Sequence, residues 1–449
     1  MSYPVYSETH ESGVAWIGPK PKHWQVRRLK DIGRLIGGAA FPLDEQGMVD
    51  EELPFYKVGD LKAAADGRNM GDAPHTISRA TADRLGASVI PKNSVVYAKI
   101  GAALLLNRRR VTSVACCIDN NMTAYLPDDT HLDIRWVFHW LSNIDFAEFM
   151  NPGAVPSFSE GYQSLLPICV PSREEQQQIA AFLDWKTRQI DALIAKKQTL
   201  LQKLKEKRLA VITQAVTKGL NPDAPLRDSG IAWLGEVPTH WDVKRLKFVA
   251  RIGNGSTPNR EDPAYWDGGT YPWLNSSVVN QEQVTHADQF VTPLALAECH
   301  LPCIAPPAVL VGITGQGKTR GMATTLLFEA TINQHLAYVK PDDTKAIVGF
   351  LRRVFDMAYA HLRSESENGG STKGAITCEQ IAELPIPVPP LDEQKFISER
   401  IDLGLAKLAR MSDNAESAIT RLTEYRSALI TAATTGKIDV RNVAIPAHA

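Results

Sequence analysis

The chain has 449 residues, 44% apolar and 22% charged, with 30 Gly, 28 Pro and 6 Cys. Those numbers exclude disordered, collagen-like and disulfide-scaffold classes, and the length suits two to four domains. A net charge of −1 neither requires nor forbids a nucleic-acid partner, because local patches decide that. Cys116, Cys117, Cys169, Cys299, Cys303 and Cys378 show no Cys-x-x-Cys pairing and no zinc-like His spacing, so they read as reduced core residues. The opening MSYPVYSETHESG has no basic stretch followed by an apolar core, so no signal peptide is expected. No run of about 18 apolar residues is present to span a bilayer, and a cytoplasmic location is expected.

The chain repeats itself. Residues 13–30 (GVAWIGPKPKHWQVRRLK) and 230–247 (GIAWLGEVPTHWDVKRLK) share eleven of eighteen positions, Trp16/Trp233, His23/His240 and Trp24/Trp241 among them. Short β-type runs follow, SVVYAKI (94–100) in one half and YPWLNSSVV (271–279) in the other. CIDNNMTAYLPDD (117–129) echoes TINQHLAYVKPDD (331–343), and amphipathic helices are expected over 134–150 and 346–363. Proline-rich straps close each half, LPICVPSREEQQQIAAFLD (166–184) against LPIPVPPLDEQKFISERID (384–402).

Each strap leads into a long helix. Ser172 is the expected N-cap of the first, with Glu174 and Glu175 in its first turn; Asp392 and Glu393 serve the second. A heptad line runs through Leu183, Ile190, Lys197, Leu204 and Val211, apolar but for the lysine, with Leu193 and Leu200 as the second line. In the other helix the lines are Ile401, Leu408, Ala415, Leu422 and Leu429, with Met411, Ala418 and Tyr425. Gly219 and Gly436 end the helices. NPDAPLRDSGIAWLG after the first helix matches the chain's own beginning, ETHESGVAWIG, so a circular arrangement is expected. The expected fold is α+β: two globular domains related by a pseudo-twofold axis and separated by two long antiparallel, coiled-coil-like helices.

Taken together, these doubled fragments resemble the specificity subunit of a Type I restriction–modification enzyme, over essentially the full chain. The resemblance implies a first target-recognition domain at 1–171, a spacer helix at 172–219, a second domain at 220–389, a second spacer helix at 390–438 and a tail at 439–449. It implies a chain that carries out no chemistry itself. Each domain would read one half of a bipartite, asymmetric sequence in double-stranded DNA, and the helices would dock two methyltransferase subunits. S-adenosylmethionine would bind to those partners, which flip out an adenine for N6 methylation, and ATP and Mg²⁺ to two motor-nuclease subunits where these are present. No cofactor or metal is expected in this chain.

The individual signals leave alternatives open. GITGQGKT (312–319) matches G-x-x-x-x-G-K-[ST], so a P-loop NTPase using Gly312–Thr319 is one reading. A loop presenting Gln316, Lys318, Thr319 and Arg320 to DNA is another, and a plain surface hairpin a third. The counterpart in the first half, near 99–109, begins at Lys99 and carries no such motif. Arg108, Arg109 and Arg110 form a cationic cluster that could fork onto guanine or clamp phosphates, or line a solvated loop. Lys57 and Asp60, with Asn275, Ser276 and Ser277, follow aromatic residues at matching places and read either as base-edge contacts or as turn residues. Asn120 and Asn121, with Asn333 and Gln334, make a weaker set of the same kind. Lys196, Lys197, Lys203, Lys205, Lys207 and Arg208 give a basic helix face. A coiled-coil scaffold that binds DNA without sequence preference is the remaining alternative.

Overall fold

The computed structural model describes residues 3–62, 66–151, 155–315, 317–368 and 374–446. The chain divides into two compact units, Met1–Lys197 with Ser417–Ala449, and Gln198–Glu416. Both are mixed α and β, and both repeat one plan.

A short hairpin opens each unit: Thr9–Glu11 with Pro19–Pro21, and Leu226–Asp228 with Glu236–Pro238. The following strand pairs antiparallel with the proline strap, Gln25–Arg28 with Pro167–Val170 and Asp242–Arg245 with Pro385–Val388. Two-stranded ribbons leave each strand an open edge, where a missing proline N–H breaks no ladder.

The main sheet of the first unit runs Gly33–Gly37, Met122–Pro127, Val95–Ala98, Arg109–Val111, all antiparallel. In the second unit it runs Ala250–Asn254, Leu336–Pro341, Ala308–Gly312, Ala323–Leu326, and Gln283–Val284 adds a fifth, parallel strand. A smaller sheet accompanies each. Leu53–Tyr56 lies antiparallel to Thr76–Ile77 and parallel to Cys117–Ile118; Tyr271–Leu274 lies antiparallel to Gln289–Val291 and parallel to Thr331–Ile332.

The long helices are Arg173–Lys218, 46 residues, and Leu391–Thr434, 44 residues. The Glu175 amide donates to Ser172 Oγ at 3.3 Å, and Gly219 and Gly436 take φ of +72° and +74°, a left-handed conformation that glycine adopts without strain. Each unit's core holds the start of one helix and the end of the other. Ile179, Phe182 and Leu183 join Leu429, Ile430 and Ala433 in the first; Ile397, Ile401 and Leu405 join Ile212, Ala215 and Val216 in the second.

The heptad reading needs one correction. The first line is shielded as expected, and Leu200 and Ala418 of the second are half-buried, but a better-covered second line lies one residue later in both helices. It runs through Ile194, Leu201, Arg208 and Ala215, and through Ser412, Ile419 and Arg426, while Leu193, Met411 and Tyr425 are exposed. Arginine stems cover apolar surface while their heads stay wet, so a pattern that scores only apolar residues skips those positions.

Buried polar clips fix each strap to the domain. Gln176 and Gln394 are fully buried. The Gln176 amide donates to Pro171 O at 3.0 Å and His131 O at 2.9 Å, and its oxygen accepts from the Asp133 amide at 2.8 Å. Gln394 does the same with Pro389 O, Lys345 O and the Ile347 amide. The preceding glutamate binds the lead-in: Glu175 takes Tyr6 Oη and His23 Nε2, Glu393 takes His240 Nε2 and Trp241 Nε1. His23 and His240 are thus structural partners of these carboxylates, and Trp24 and Trp241 are core anchors.

A second polar group ties each domain to its helix. Asp184 binds buried His139 at 2.7 Å and Arg68 at 2.8 Å. At equivalent places Asp402 binds Arg353 at 2.7 Å, and Arg353 also binds Glu282. Segment 439–443, expected as part of a tail, is part of the first unit's core. Val440 is buried beside Tyr6, and the Asp439 amide donates to Pro4 O at 2.8 Å. Cys303 is exposed and Cys299 and Cys378 are half-buried, so only Cys116, Cys117 and Cys169 are core residues.

Candidate nucleic-acid interface

Where the two parallel strands of each small sheet end, their turns meet three other segments. In the first unit the turns are 57–60 and 119–121, joined because the Asp119 amide donates to Tyr56 O at 3.0 Å. Lys99 N then donates to Asn121 O, Ala39 N to Ile118 O and Phe158 N to Lys99 O, at 2.8, 3.0 and 2.8 Å. The second unit repeats the set: Asn333 N to Leu274 O, Ile313 N to His335 O, Ser256 N to Ile332 O and Ile376 N to Ile313 O, at 3.0, 3.0, 3.1 and 2.8 Å. Five segments are thereby held in one register in both units, with different side chains on them.

Glycine makes one of these crossings possible. A Cβ on Gly38 would stand 1.9 Å from Asp119 O, and on Gly255 1.7 Å from Ile332 O. Only a residue without a side chain lets the backbones approach that closely.

The structure sorts the predicted residues. Lys57 and Asp60 are together in one turn: the Lys57 amide donates to Asp60 Oδ2 at 2.7 Å, and Lys57 Nζ to Gln46. Lys99 is ion-paired to Glu160 at 2.8 Å. The Asn275 side chain caps a short turn by accepting from the Ser277 amide, leaving Ser276 on a cleft of about 730 Å³ with Thr314, Thr319 and His335. Lys318 is exposed beside that cleft, and Gln316 lies outside the described residues.

Two arginines are corrections. On the strand Arg109–Val111 side chains alternate, so Arg109 points inward and is 5% exposed. Its guanidinium donates to Asn107 and to Ile144 O and lies 4.0 Å from the Phe146 ring centre. Burial holds its pKa below the usual value. Arg108 and Arg110 remain half-exposed. Arg320 is 4% exposed and paired to Glu367 at 2.7 Å, so it too is structural.

The phosphate-loop reading also falls. Gly312 and Gly321 close a hairpin between antiparallel strands, with no helix after it to point amides at a phosphate. The loop's carbonyls are taken instead by the helix Val348–Asn368. Tyr359 Oη donates to Lys318 O at 2.8 Å, and Arg363 to Gly317 O and Arg320 O. Among the described residues no cluster of His, Cys, Asp and Glu could hold a metal, and no helix is long and apolar enough to cross a membrane.

The family model for the Type I restriction modification DNA specificity domain matches residues 21–206 and again 238–408. The chain belongs to that family. The chain is similar to the specificity subunit of the Type I restriction enzyme EcoR124I/EcoR124II of Escherichia coli. The two are 21% identical over 282 residues, which cover 61% of this chain and 64% of that one. The Type I restriction enzyme MjaIX specificity subunit of Methanocaldococcus jannaschii is 22% identical over 338 residues, covering 72% and 73%. Among solved structures, one determined in work on complex assembly and conformational transition of the type I R-M system has a TM-score of 0.69. It is 16% identical and covers 92% of this chain and 98% of that one. The HsdS subunit from Thermoanaerobacter tengcongensis has a TM-score of 0.51 at 16% identity, over 93% and 98%. Both support the fold.

Within the specificity domains, residues not anticipated from the sequence join the loop cluster. Thr257 binds Gln334, and Thr314 Oγ1 lies 2.7 Å from His335 Nδ1. Arg260 is exposed, and its guanidinium carbon lies 4.1 Å and 4.6 Å from the ring centres of Trp266 and Trp273, which meet edge to face. Aligning Gly37-Gly38-Ala39 with Asn254-Gly255-Ser256 would have pointed to this segment.

Proposed function

We propose that this chain is the DNA-reading member of a Type I restriction–modification complex, and that each unit reads one half of a bipartite, asymmetric target. The supporting observation is the loop cluster: two units hold the same five segments in the same hydrogen-bond register but present different side chains. A common scaffold with exchanged polar tips suits readers of two different base sequences. On this reading the chain performs no catalysis. It positions methyltransferase subunits for adenine N6 methylation, and cleavage follows where a motor-nuclease subunit joins.

The test is to co-express the chain with its methyltransferase partner in a host without N6-methyladenine and to map that base across the genome. One bipartite motif with a gap of fixed length and free sequence is the expected result. A stable complex that methylates no motif would overturn the reading. Salt-dependent DNA binding without sequence preference would instead favour a scaffold.

A further inference from the structure

The repeat's register identifies which turn residues correspond. Asp119 and Asn333 are equivalent: each amide donates to the end of the neighbouring parallel strand, and each side chain accepts from the amide two residues on, Asn121 at 2.9 Å and His335 at 3.0 Å. Both are buried. Their side chains build the turn, so Asn333 is no reader. The residues at the tip are the next two in each unit, Asn120–Asn121 and Gln334–His335, all four exposed.

We propose that these two pairs are specificity-determining residues, Asn120–Asn121 for one half of the target and Gln334–His335 for the other. The proposal rests on the DNA-reading function above. The backbone under each tip is fixed three times over, by the turn, by the strand before it and by the 99 or 313 segment. Because the Asp119 and Asn333 side chains already close the turns, the side-chain carboxamides of Asn120, Asn121 and Gln334 are not what closes them. Neither pair holds a lysine or arginine to clamp a phosphate, and primary amides fork onto adenine N6 and N7. In the second unit the fork is pre-set: Thr257 holds Gln334, and Thr314 holds the His335 ring. Fixing a reader before binding lowers the cost of ordering it.

The test uses the co-expressed complex and genome-wide N6-methyladenine mapping on the wild type, N120A/N121A and Q334A/H335A. Each double variant is expected to lose discrimination by about 10- to 100-fold at a position in one half of the motif. The other half and the gap stay unchanged, and the two variants affect opposite halves. Two shape-preserving variants, N120D and Q334E, cover the case in which alanine prevents assembly. Each replaces the amide's donors with acceptors and is expected to move one position from adenine toward cytosine. A wild-type bipartite motif that survives intact in the variants overturns the assignment. Absence of any bipartite motif in the wild type overturns the function on which it rests.

Discussion

Replacing Gln394 with leucine tests whether the buried clip, rather than the strap's packing alone, holds the second unit to its helix. Leucine fills similar volume but cannot bond. The Ile347 amide, Lys345 O and Pro389 O would each lose a partner, at 3.0, 2.9 and 2.8 Å in the wild type. A hydrogen bond contributes about 0.5–1.5 kcal/mol net, and a buried group left unpaired costs about 1–3 kcal/mol. Three bonds at a fully buried site therefore give a loss of about 3–5 kcal/mol, a large part of the roughly 5–15 kcal/mol a domain has. For a unit of this size that is a fall in Tm of about 10 °C. The assay is denaturant unfolding with hydrogen exchange read on 345–350 and 384–394. Gln394→Leu should deprotect those peptides and spare 128–137, whereas Gln176→Leu should do the reverse. A loss below about 1 kcal/mol, or equal deprotection in both units, would refute the reasoning.

The remaining predictions concern the other devices. Burial holds the His139 pKa below its ordinary value despite the Asp184 hydrogen bond, and its Nδ1 has no partner to receive a second proton. The unfolded chain therefore takes up a proton below about pH 6.5 that the folded one refuses. That contribution is fully present above about pH 6.5 and is lost as pH falls, with a slope of at most about 1.4 kcal/mol per pH unit. Between pH 7.5 and 5.5 the first unit should lose more stability than it does in His139→Gln; equal losses in melting curves would count against the assignment. Gly255→Ala drives a Cβ into Ile332 O and should cost about 2–3 kcal/mol, with exchange rising at 331–336. Gly59→Ala, which meets nothing within 4 Å, should change stability by less than about 0.5 kcal/mol. Similar effects of the two would show that the crossing tolerates a side chain.

The duplicated frame was legible because its residues bond to partners that were duplicated with them. The His23/His240 lead-ins and the Glu-Gln pairs at 175–176 and 393–394 recur in sequence and bond to one another in the structure. The helix caps were legible for the same local reason, Ser172 at one end and Gly219 at the other. Strand-borne residues fared worse. Three successive arginines look alike in a sequence, yet strand alternation buries Arg109 and leaves its neighbours half-exposed. The phosphate-loop pattern was already weak in the sequence, since the β-branched 319–332 does not read as the helix such a loop needs, and the antiparallel pairing with 323–326 shows that its glycines serve a hairpin. Grouping Asn120–Asn121 with Asn333–Gln334 matched asparagine to asparagine and was one residue out of step, although the echo of 117–129 in 331–343 already sets Asp119 opposite Asn333.

Divergence between the units does not by itself mark a reading surface. Arg68 and His139 in the first unit stand where Glu282 and Arg353 stand in the second, so the cation faces the aspartate from a different position and an anion replaces Arg68. Yet every member of both groups is bonded within its unit, around an aspartate the units share, Asp184 or Asp402. That exchange is compensated, so it preserves the attachment of domain to helix and carries no information outward. The tips differ in the opposite sense. Asn120, Asn121, Gln334 and His335 change over a backbone that does not, and they stay exposed after the turn's own bonds are made. Substitution that is balanced inside a unit maintains the fold. On the function proposed above, exchange at a fixed, solvent-facing tip is what a DNA half-site would distinguish.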